Sequence, residues 1–207
     1  MNKKLTNIEE LSKKIKSELT AISTGHSTSA DIIGRILQNN TDIKALDYGC
    51  GTGRNIDYIF DEYHQVVDGC DIPEQLARQK YEKAEENGSI VTQSNFLPCS
   101  SYEIILCSHV LNVILDDKVK QNVVDDIARL LKIDGSCYLE VRTKSDINSS
   151  STKEKYKDGF IIPRGKNSAT YQEVVTQEKI ERLAKNAGLS VYTLVNNSSK
   201  HIVVLTK

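Results

Sequence analysis

The 207-residue chain has no apolar run approaching the ~20 residues that a membrane-spanning helix needs. It also lacks charge of one sign: 27 Lys and Arg stand against 28 Asp and Glu. The formal net charge of -1 gives no global pull toward nucleic acid, although it leaves room for a local basic patch. Cysteine spacing is equally uninformative of metal. Cys50, Cys70, Cys99, Cys107 and Cys137 are odd in number and never form Cys-x-x-Cys, so no metal site is expected. Cys70, Cys107 and Cys137 fall in predicted strands, where thiols act as small buried hydrophobes, and the compartment is expected to be reducing and cytoplasmic. The N-terminus is a lysine-rich amphipathic segment without the pattern of a signal peptide. No internal repeat or domain linker is evident. At 39% hydrophobic, the chain is long enough for one well-buried domain with additions.

What is present is concentrated in Ala45-Leu46-Asp47-Tyr48-Gly49-Cys50-Gly51-Thr52-Gly53-Arg54-Asn55. An apolar strand (Ile43 to Leu46) meets an acid, then three glycines at alternate positions, then a helix from Asn55 to Glu62. Glycines at such a junction let the backbone turn sharply and approach a ligand without a Cβ in the way. The dinucleotide fingerprint Gly-x-Gly-x-x-Gly fails here, because Arg54 occupies its sixth position. A pyrophosphate prefers bare amides with no carboxylate nearby, whereas a ligand with a cationic head would welcome Asp47.

Helix and strand periods alternate through the rest of the chain. A first helix is expected over Asn7 to Ile22, with Thr6 and Glu9 as a capping box, and a second over Asp31 to Leu37. Strands are expected at Gln65–Asp71, Ile90–Ser94, Glu103–Ser108 and Ser136–Arg142. Helices are expected at Glu74–Asn87, Lys118–Leu131 and Thr176–Ala187. Two closing strands, Leu189–Val195 and His201–Thr206, join through a short polar connection as a hairpin.

The acid-x-Gly-x-Gly-x-Gly loop and this element order resemble the class I S-adenosylmethionine-dependent methyltransferases, over roughly Asp31 to Lys207. Asp47-Tyr48-Gly49-Cys50-Gly51, Val110-Leu111-Asn112-Val113-Ile114 and Thr170-Tyr171-Gln172 are further similar to methyltransferases associated with DNA phosphorothioation systems, which are longer chains. The resemblance implies an α/β, doubly wound, Rossmann-like sheet of seven strands, mostly parallel with a C-terminal antiparallel hairpin. Residues 1–40 would form an N-terminal helical cap. Residues 41–207 would form the cofactor-binding domain, with residues 143–175 as a substrate-covering insertion.

The implied cofactor is S-adenosyl-L-methionine. Asp47, Gly49, Cys50, Gly51 and Gly53 would admit its amino-acid part, and Asp71 with Ile72 would meet the ribose. Asp71 also reads as a helix cap before Pro73, a role compatible with the first. Asn95 stands where the family usually has an acid against adenine, with Phe96 against the ring or in the core, and Ser108 borders the sulfonium. His109 has the proton affinity for a general base and reads equally as a lining residue. Ser108-His109 is unlike the Asp/Asn-Pro-Pro-Tyr motif of exocyclic-amine methylases, and Pro98-Cys99 follows the third strand, not the fourth. Arg142 at the end of the fifth strand, with Lys144, Arg164, Lys166 and Tyr171 of the insertion, could serve an acceptor. A small-molecule O or N acceptor is the expected partner. A nucleic-acid or nucleotide acceptor is the alternative, and a cofactor-binding module without transfer is the reading from a different class.

Overall fold

The computed structural model describes residues 10, 12–16, 25–40, 42–148, 153–164 and 167–207. A seven-stranded sheet forms the frame. Its strands are β1 (Ala45–Tyr48), β2 (Asp68–Cys70), β3 (Val91–Thr92), β4 (Tyr102–Ser108), β5 (Leu131–Val141), β9 (Ser190–Asn196) and β10 (His201–Thr206). They run in the order β3-β2-β1-β4-β5-β10-β9. Neighbours from β3 to β5 pair in parallel, and β10 inserts antiparallel to both β5 and β9. This is the mostly parallel sheet with an antiparallel C-terminal hairpin that the sequence leads one to expect. Chain order reverses between β1 and β4, so a crevice opens beyond the carboxyl ends of those two strands.

Strand β4 shows why both faces are covered. Successive side chains alternate across a sheet, and Ile105 and Cys107 join one core while Ile104 and Leu106 join the other. The first core packs against α5 (Asp117–Leu130) through Val124, Ile127 and Leu130, and against α7 (Gln177–Asn186) through Ile180, Leu183 and Ala184. The second takes Ala30, Ile33 and Leu37 of α1 (Thr28–Gln38) and Ile59 of α2 (Arg54–Tyr63). Cys70, Cys107 and Cys137 are buried free thiols within the strands, as expected of small hydrophobes. Three helix starts are capped by side chains: Ser27 accepts from Ala30 N–H, Asp116 from Lys118 N–H, and Thr176 from Lys179 N–H.

Two helix expectations are corrected. The helix expected over Glu74–Asn87 is split into α3 (Pro73–Leu76) and α4 (Glu82–Glu86). The break lets the Tyr81 hydroxyl donate to the Gly51 carbonyl at 2.6 Å, so a tertiary bond overrides local propensity. The helix expected over Asn7–Ile22 is not continuous either. Ile15 lies in an isolated parallel bridge with Ala169, Lys16 N–H donates to Ala169 O at 2.9 Å, and Ala169 N–H donates to Lys14 O at 3.0 Å. The apolar side chain of Ile15 packs with Ile161, Ala169 and Tyr171 instead of following a helical face. Thr6, Glu9 and Ile22, which would start and end that helix, lie outside the described residues.

After a short helix α6 (Lys144–Asn148), the segment beyond β5 makes a separate antiparallel sheet. Strands β6 (Glu154–Tyr156), β7 (Gly159–Pro163) and β8 (Ala169–Glu173) pair in sequence order. The apolar run Phe160-Ile161-Ile162-Pro163 is thus β7, whose Ile161 is fully buried. The sheet is tied to the main body by a buried ion-pair network. Lys120 of α5, with no exposed surface, reaches Glu173 Oε2 at 2.8 Å and Asp117 Oδ1 at 3.0 Å, while Lys179 reaches Glu173 Oε1 at 2.6 Å.

Candidate active site

The glycine loop leaves β1 and folds back onto β2. Gly49 and Cys50 N–H both donate to the Cys70 carbonyl, at 2.7 and 3.0 Å. Gly49, Gly51 and Gly53 have φ of 74°, 59° and 80°, the left-handed region that glycine enters without a Cβ penalty. At Gly49 a Cβ would also stand 2.4 Å from Val110 Cγ2, so the loop can lie this close to the segment after β4 only as glycine.

Asp71, at the end of β2, clamps this loop. Its Oδ2 accepts from Gly51 N–H and its Oδ1 from Ile72 N–H, both at 2.7 Å. Each oxygen keeps a second lone pair, and the residue lines the cavity. Burial raises its pKa, and the two N–H groups pull against that rise. Helix α3 starts at Pro73 with Ile72 as its cap residue and no side-chain cap bond, so Asp71 bonds Ile72 N–H just outside the helix and is not the cap expected from the sequence.

The cavity, of about 330 Å³, lies over the crevice between β1 and β4 and falls in the size range of small-ligand sites. Of the expected residues, Gly49, Cys50, Gly51, Asp71, Ile72, Asn95, Ser108, His109 and Arg142 line it. Asp47 and Gly53 do not. Asp47 is 1% exposed and lies behind the wall, its Oδ2 accepting from Asn55 Nδ2 at 3.3 Å and its Oδ1 without a partner among the described residues. Burial pushes its carboxyl up to about 7. Gly53 instead occupies the cap position of α2, whose first residues Arg54 and Asn55 do reach the cavity.

Four further residues stand elsewhere than expected. Phe96 is 67% exposed and outside the wall, because Ser94–Phe96 forms a 3-10 turn that brings Ser94 and Asn95 to the cavity. Arg129 pins that turn by donating to Ser94 O at 2.8 Å and Leu97 O at 3.0 Å. Tyr171 is buried on the other side of β8, where its hydroxyl donates to Glu173 Oε2 at 3.0 Å. Arg164 is exposed at the end of β7, its Nε 3.4 Å from Thr170 Oγ1. Lys144 is exposed and away from the wall, and Lys166 lies outside the described residues.

Gln75 and Gln172 line the cavity without having been expected. Gln75 is 2% exposed with neither amide atom partnered, and Gln172 is 8% exposed with a partnerless Oε1, among the described residues. Nothing in the local sequence distinguishes them from any other polar residue. Gln172 is brought in by the second sheet, whereas Gln75 belongs to α3 and Tyr81, after the helix break, reaches the glycine loop without lining the cavity.

Over β4 and β5 the wall holds His109, with φ 61°, and Arg142. His109 Nε2 stands 3.9 Å from Glu140 Oε1, and its N–H donates to Glu140 O at 2.8 Å. The other Glu140 oxygen accepts from Ser29 N–H at 2.8 Å and Ser29 Oγ at 2.6 Å, at the start of α1. Ser27 N–H donates to Asn55 Oδ1 at 3.0 Å, and Arg54 Nη1 donates to Gly25 O at 2.6 Å. The approach to α1 is therefore fastened to cavity residues, and burial lowers the Arg54 pKa.

Residues 23–194 match the methyltransferase domain family, and the chain belongs to it. Solved structures agree in fold. An S-adenosylmethionine-dependent methyltransferase from Clostridium acetobutylicum is 14% identical with TM-score 0.63, over 86% of this chain and 89% of that one. The S-adenosylmethionine-bound amino pentose methyltransferase CalS10 from Micromonospora echinaspora is 14% identical with TM-score 0.59, over 98% and 97%. The sugar N-methyltransferase KedS8 from Streptoalloteichus is 13% identical with TM-score 0.61, over 86% of each chain. No curated protein matches the sequence. The chain is a class I methyltransferase, with S-adenosylmethionine as its cofactor. The cavity fits that cofactor: a glycine cradle closed to any Cβ at Gly49, and a carboxylate with spare lone pairs at Asp71.

Proposed function

We propose that the protein transfers a methyl group from S-adenosylmethionine to an oxygen or nitrogen of a small molecule. The observation that carries this reading is the apolar lining of the cavity beside the cofactor residues. Val110, Val113, Ile114, Val119 and Val123 line it together with the end of β5 and Gln172 of β8, a surface suited to a small molecule more than to a polynucleotide backbone. The likeness to a sugar N-methyltransferase and an amino pentose methyltransferase supports a small acceptor as an analogy of fold.

Asp71 would accept the ribose hydroxyls, Ser94 and Asn95 would border the adenine, and the Gly49–Gly51 backbone would admit the amino-acid part. Asp47, one layer back, would act through Asn55 or a water. When bound, the cofactor supplies a methyl group on a cationic sulfonium that leaves as a neutral thioether. The chain's own task is then positioning, with removal of a proton from the acceptor before or after transfer. His109 is the imidazole in the cavity wall, held beside Glu140, and we assign it that proton. The free buried thiols favour a reducing compartment, and we place the reaction in the cytoplasm.

The test is a methyl-transfer screen with labelled cofactor over metabolite and nucleic-acid pools. Label in small molecules that falls in His109→Ala supports the reading. Label confined to RNA or DNA would replace the small-molecule acceptor, and cofactor binding without transfer to any pool would leave a binding module.

A further inference from the structure

We infer that the acceptor carries an anionic group, a carboxylate or a phosphate, which docks on Arg142 and Gln172. The inference rests on the methyltransferase reading and names the substrate class for that same cavity.

Arg142 follows β5 directly and lines the cavity, yet forms no ion pair, and its buried Nε has no hydrogen-bond partner among the described residues. A guanidinium is always charged and presents a planar fork suited to carboxylate or phosphate, so a buried Nε without a partner is costly. The nearby carboxylates are occupied. Asp71 accepts two backbone N–H groups, and Glu140 is held by Ser29 and faces His109. A second guanidinium, Arg54, is close enough to feel the charge of Arg142, but Asp47 and Glu140 act on it as well, so Arg142 is the cation left to be matched.

Gln172 supplies the independent observation. Its side chain is nearly buried and lines the same cavity; its Nε2 is the group that can donate to an anion, while the partnerless Oε1, an acceptor, would meet a hydroxyl or N–H of the same molecule. One fully buried side chain holds both residues in place. Asn112 Oδ1 accepts from Arg142 N–H at 2.9 Å, and Asn112 Nδ2 donates to the carbonyl of Glu173, next to Gln172, at 2.5 Å. The Arg142–Gln172 pair is therefore a built feature, fixed to the framework from both sides.

Its backbone stands apart from the cofactor residues. Asp71 and Asn95 follow β2 and β3, whereas Arg142 follows β5, on the far side of β4 from β1. Two strand spacings, roughly 10 Å, separate β5 from β1, and the S-adenosylhomocysteine affinity of Arg142→Gln tells an acceptor anion from the cofactor's own carboxylate. Val110, Val113, Ile114, Val119 and Val123 also line the cavity, so an anion with an apolar body fits it.

The experiment uses the full chain saturated with S-adenosylhomocysteine and four probes of one shape: benzoate, phenyl phosphate, benzamide and benzylamine. Thermal shift and calorimetry read binding. Benzoate or phenyl phosphate should raise the unfolding midpoint, the stronger of the two identifying the oxyanion, while benzamide and benzylamine should not. Arg142→Gln should weaken the preferred anion at least tenfold, Gln172→Ala severalfold, and Arg142→Lys should fall between. S-adenosylhomocysteine affinity should stay within threefold in each. Should Arg142→Gln fail to fold, the Arg142→Lys and Gln172→Ala results carry the test. Equal binding of all four probes, no binding of either anion at 10 mM (roughly the weak limit of a specific single-anion contact), or a tenfold loss of S-adenosylhomocysteine affinity in Arg142→Gln would overturn the inference. Failure of the wild type to bind S-adenosylhomocysteine would overturn the reading beneath it.

Discussion

Removing the Asp71 carboxylate should cost cofactor affinity far more than it costs the fold. The carboxylate has four acceptor directions, of which Gly51 and Ile72 N–H use two at 2.7 Å. The others are left for two ribose hydroxyls. A hydrogen bond to a charged partner contributes about 1.5 kcal/mol at the lower end of its range, so two give about 3 kcal/mol, on the order of 100-fold in affinity. Asp71→Ala also frees the Gly51 and Ile72 N–H groups, but both lie at the cavity wall, where water can solvate them. The Tyr81 hydroxyl still holds Gly51 O at 2.6 Å. The loop should therefore persist. Titration calorimetry with S-adenosylhomocysteine measures the affinity, and near-ultraviolet dichroism with thermal melting reports the fold. Asp71→Asn, which keeps the shape but exchanges one acceptor for a donor, should lie between wild type and alanine. A folded Asp71→Ala protein that binds S-adenosylhomocysteine within threefold of wild type would refute the assignment. A protein that unfolds in both variants would show that the clamp on the loop outweighs the contact with cofactor.

Asp47 should make stability fall as pH rises. Burial pushes its carboxyl up to about 7, above the unfolded value near 4, so the folded state holds the proton more tightly. Stability from this group is complete below about pH 4 and is lost as pH rises through about 7, by an upper bound on the order of 4 kcal/mol. Asp47→Asn should therefore melt higher than wild type at pH 8 and about equally at pH 4.5; identical melting at both pH values would refute this. Tyr171→Phe removes a buried hydroxyl bond to Glu173 and should cost about 1–2 kcal/mol in urea unfolding, with cofactor affinity unchanged, whereas Arg164→Ala should change neither by a measurable amount. A tenfold change in cofactor affinity in either variant would show that the second sheet reaches the cofactor. Lys120→Ala leaves Glu173 buried without one of its cations and should cost about 3–5 kcal/mol, while Lys120→Met, which refills the volume, should recover part of the loss. Equal stability of wild type and Lys120→Ala would mean that Lys179 alone satisfies Glu173.

The parts of the site that were legible share one property: their geometry follows from local chain chemistry. An acid and three alternate glycines between a strand and a helix specify a loop that few other structures use. An acid ending the next parallel strand must come to the same edge of the sheet, which placed Asp71. The parts that were not legible depend on contacts between distant segments. Helical propensity carries Glu74–Asn87 through in one piece, and only the reach of Tyr81 to Gly51 explains the break.

The exchange of Tyr171 for Gln172 has a sharper cause. Neighbouring residues on a strand point to opposite faces, so choosing one of the pair is a choice of parity. Along most strands the alternation of apolar and polar residues decides parity. Along β8 it cannot, because all five residues from Ala169 to Glu173 are buried, the polar ones included. What decides is the backbone of residues 14–16 at Ala169 and the ion pair of Glu173 with Lys120, neither of which leaves a periodic mark in the sequence. Those contacts turn Tyr171 toward Ile15 and Ile161 and leave Gln172 at the cavity. The glycine loop and Asp71 could thus be read from local order, while the arrival of Gln172 at the cavity depends on a segment held by tertiary bonds.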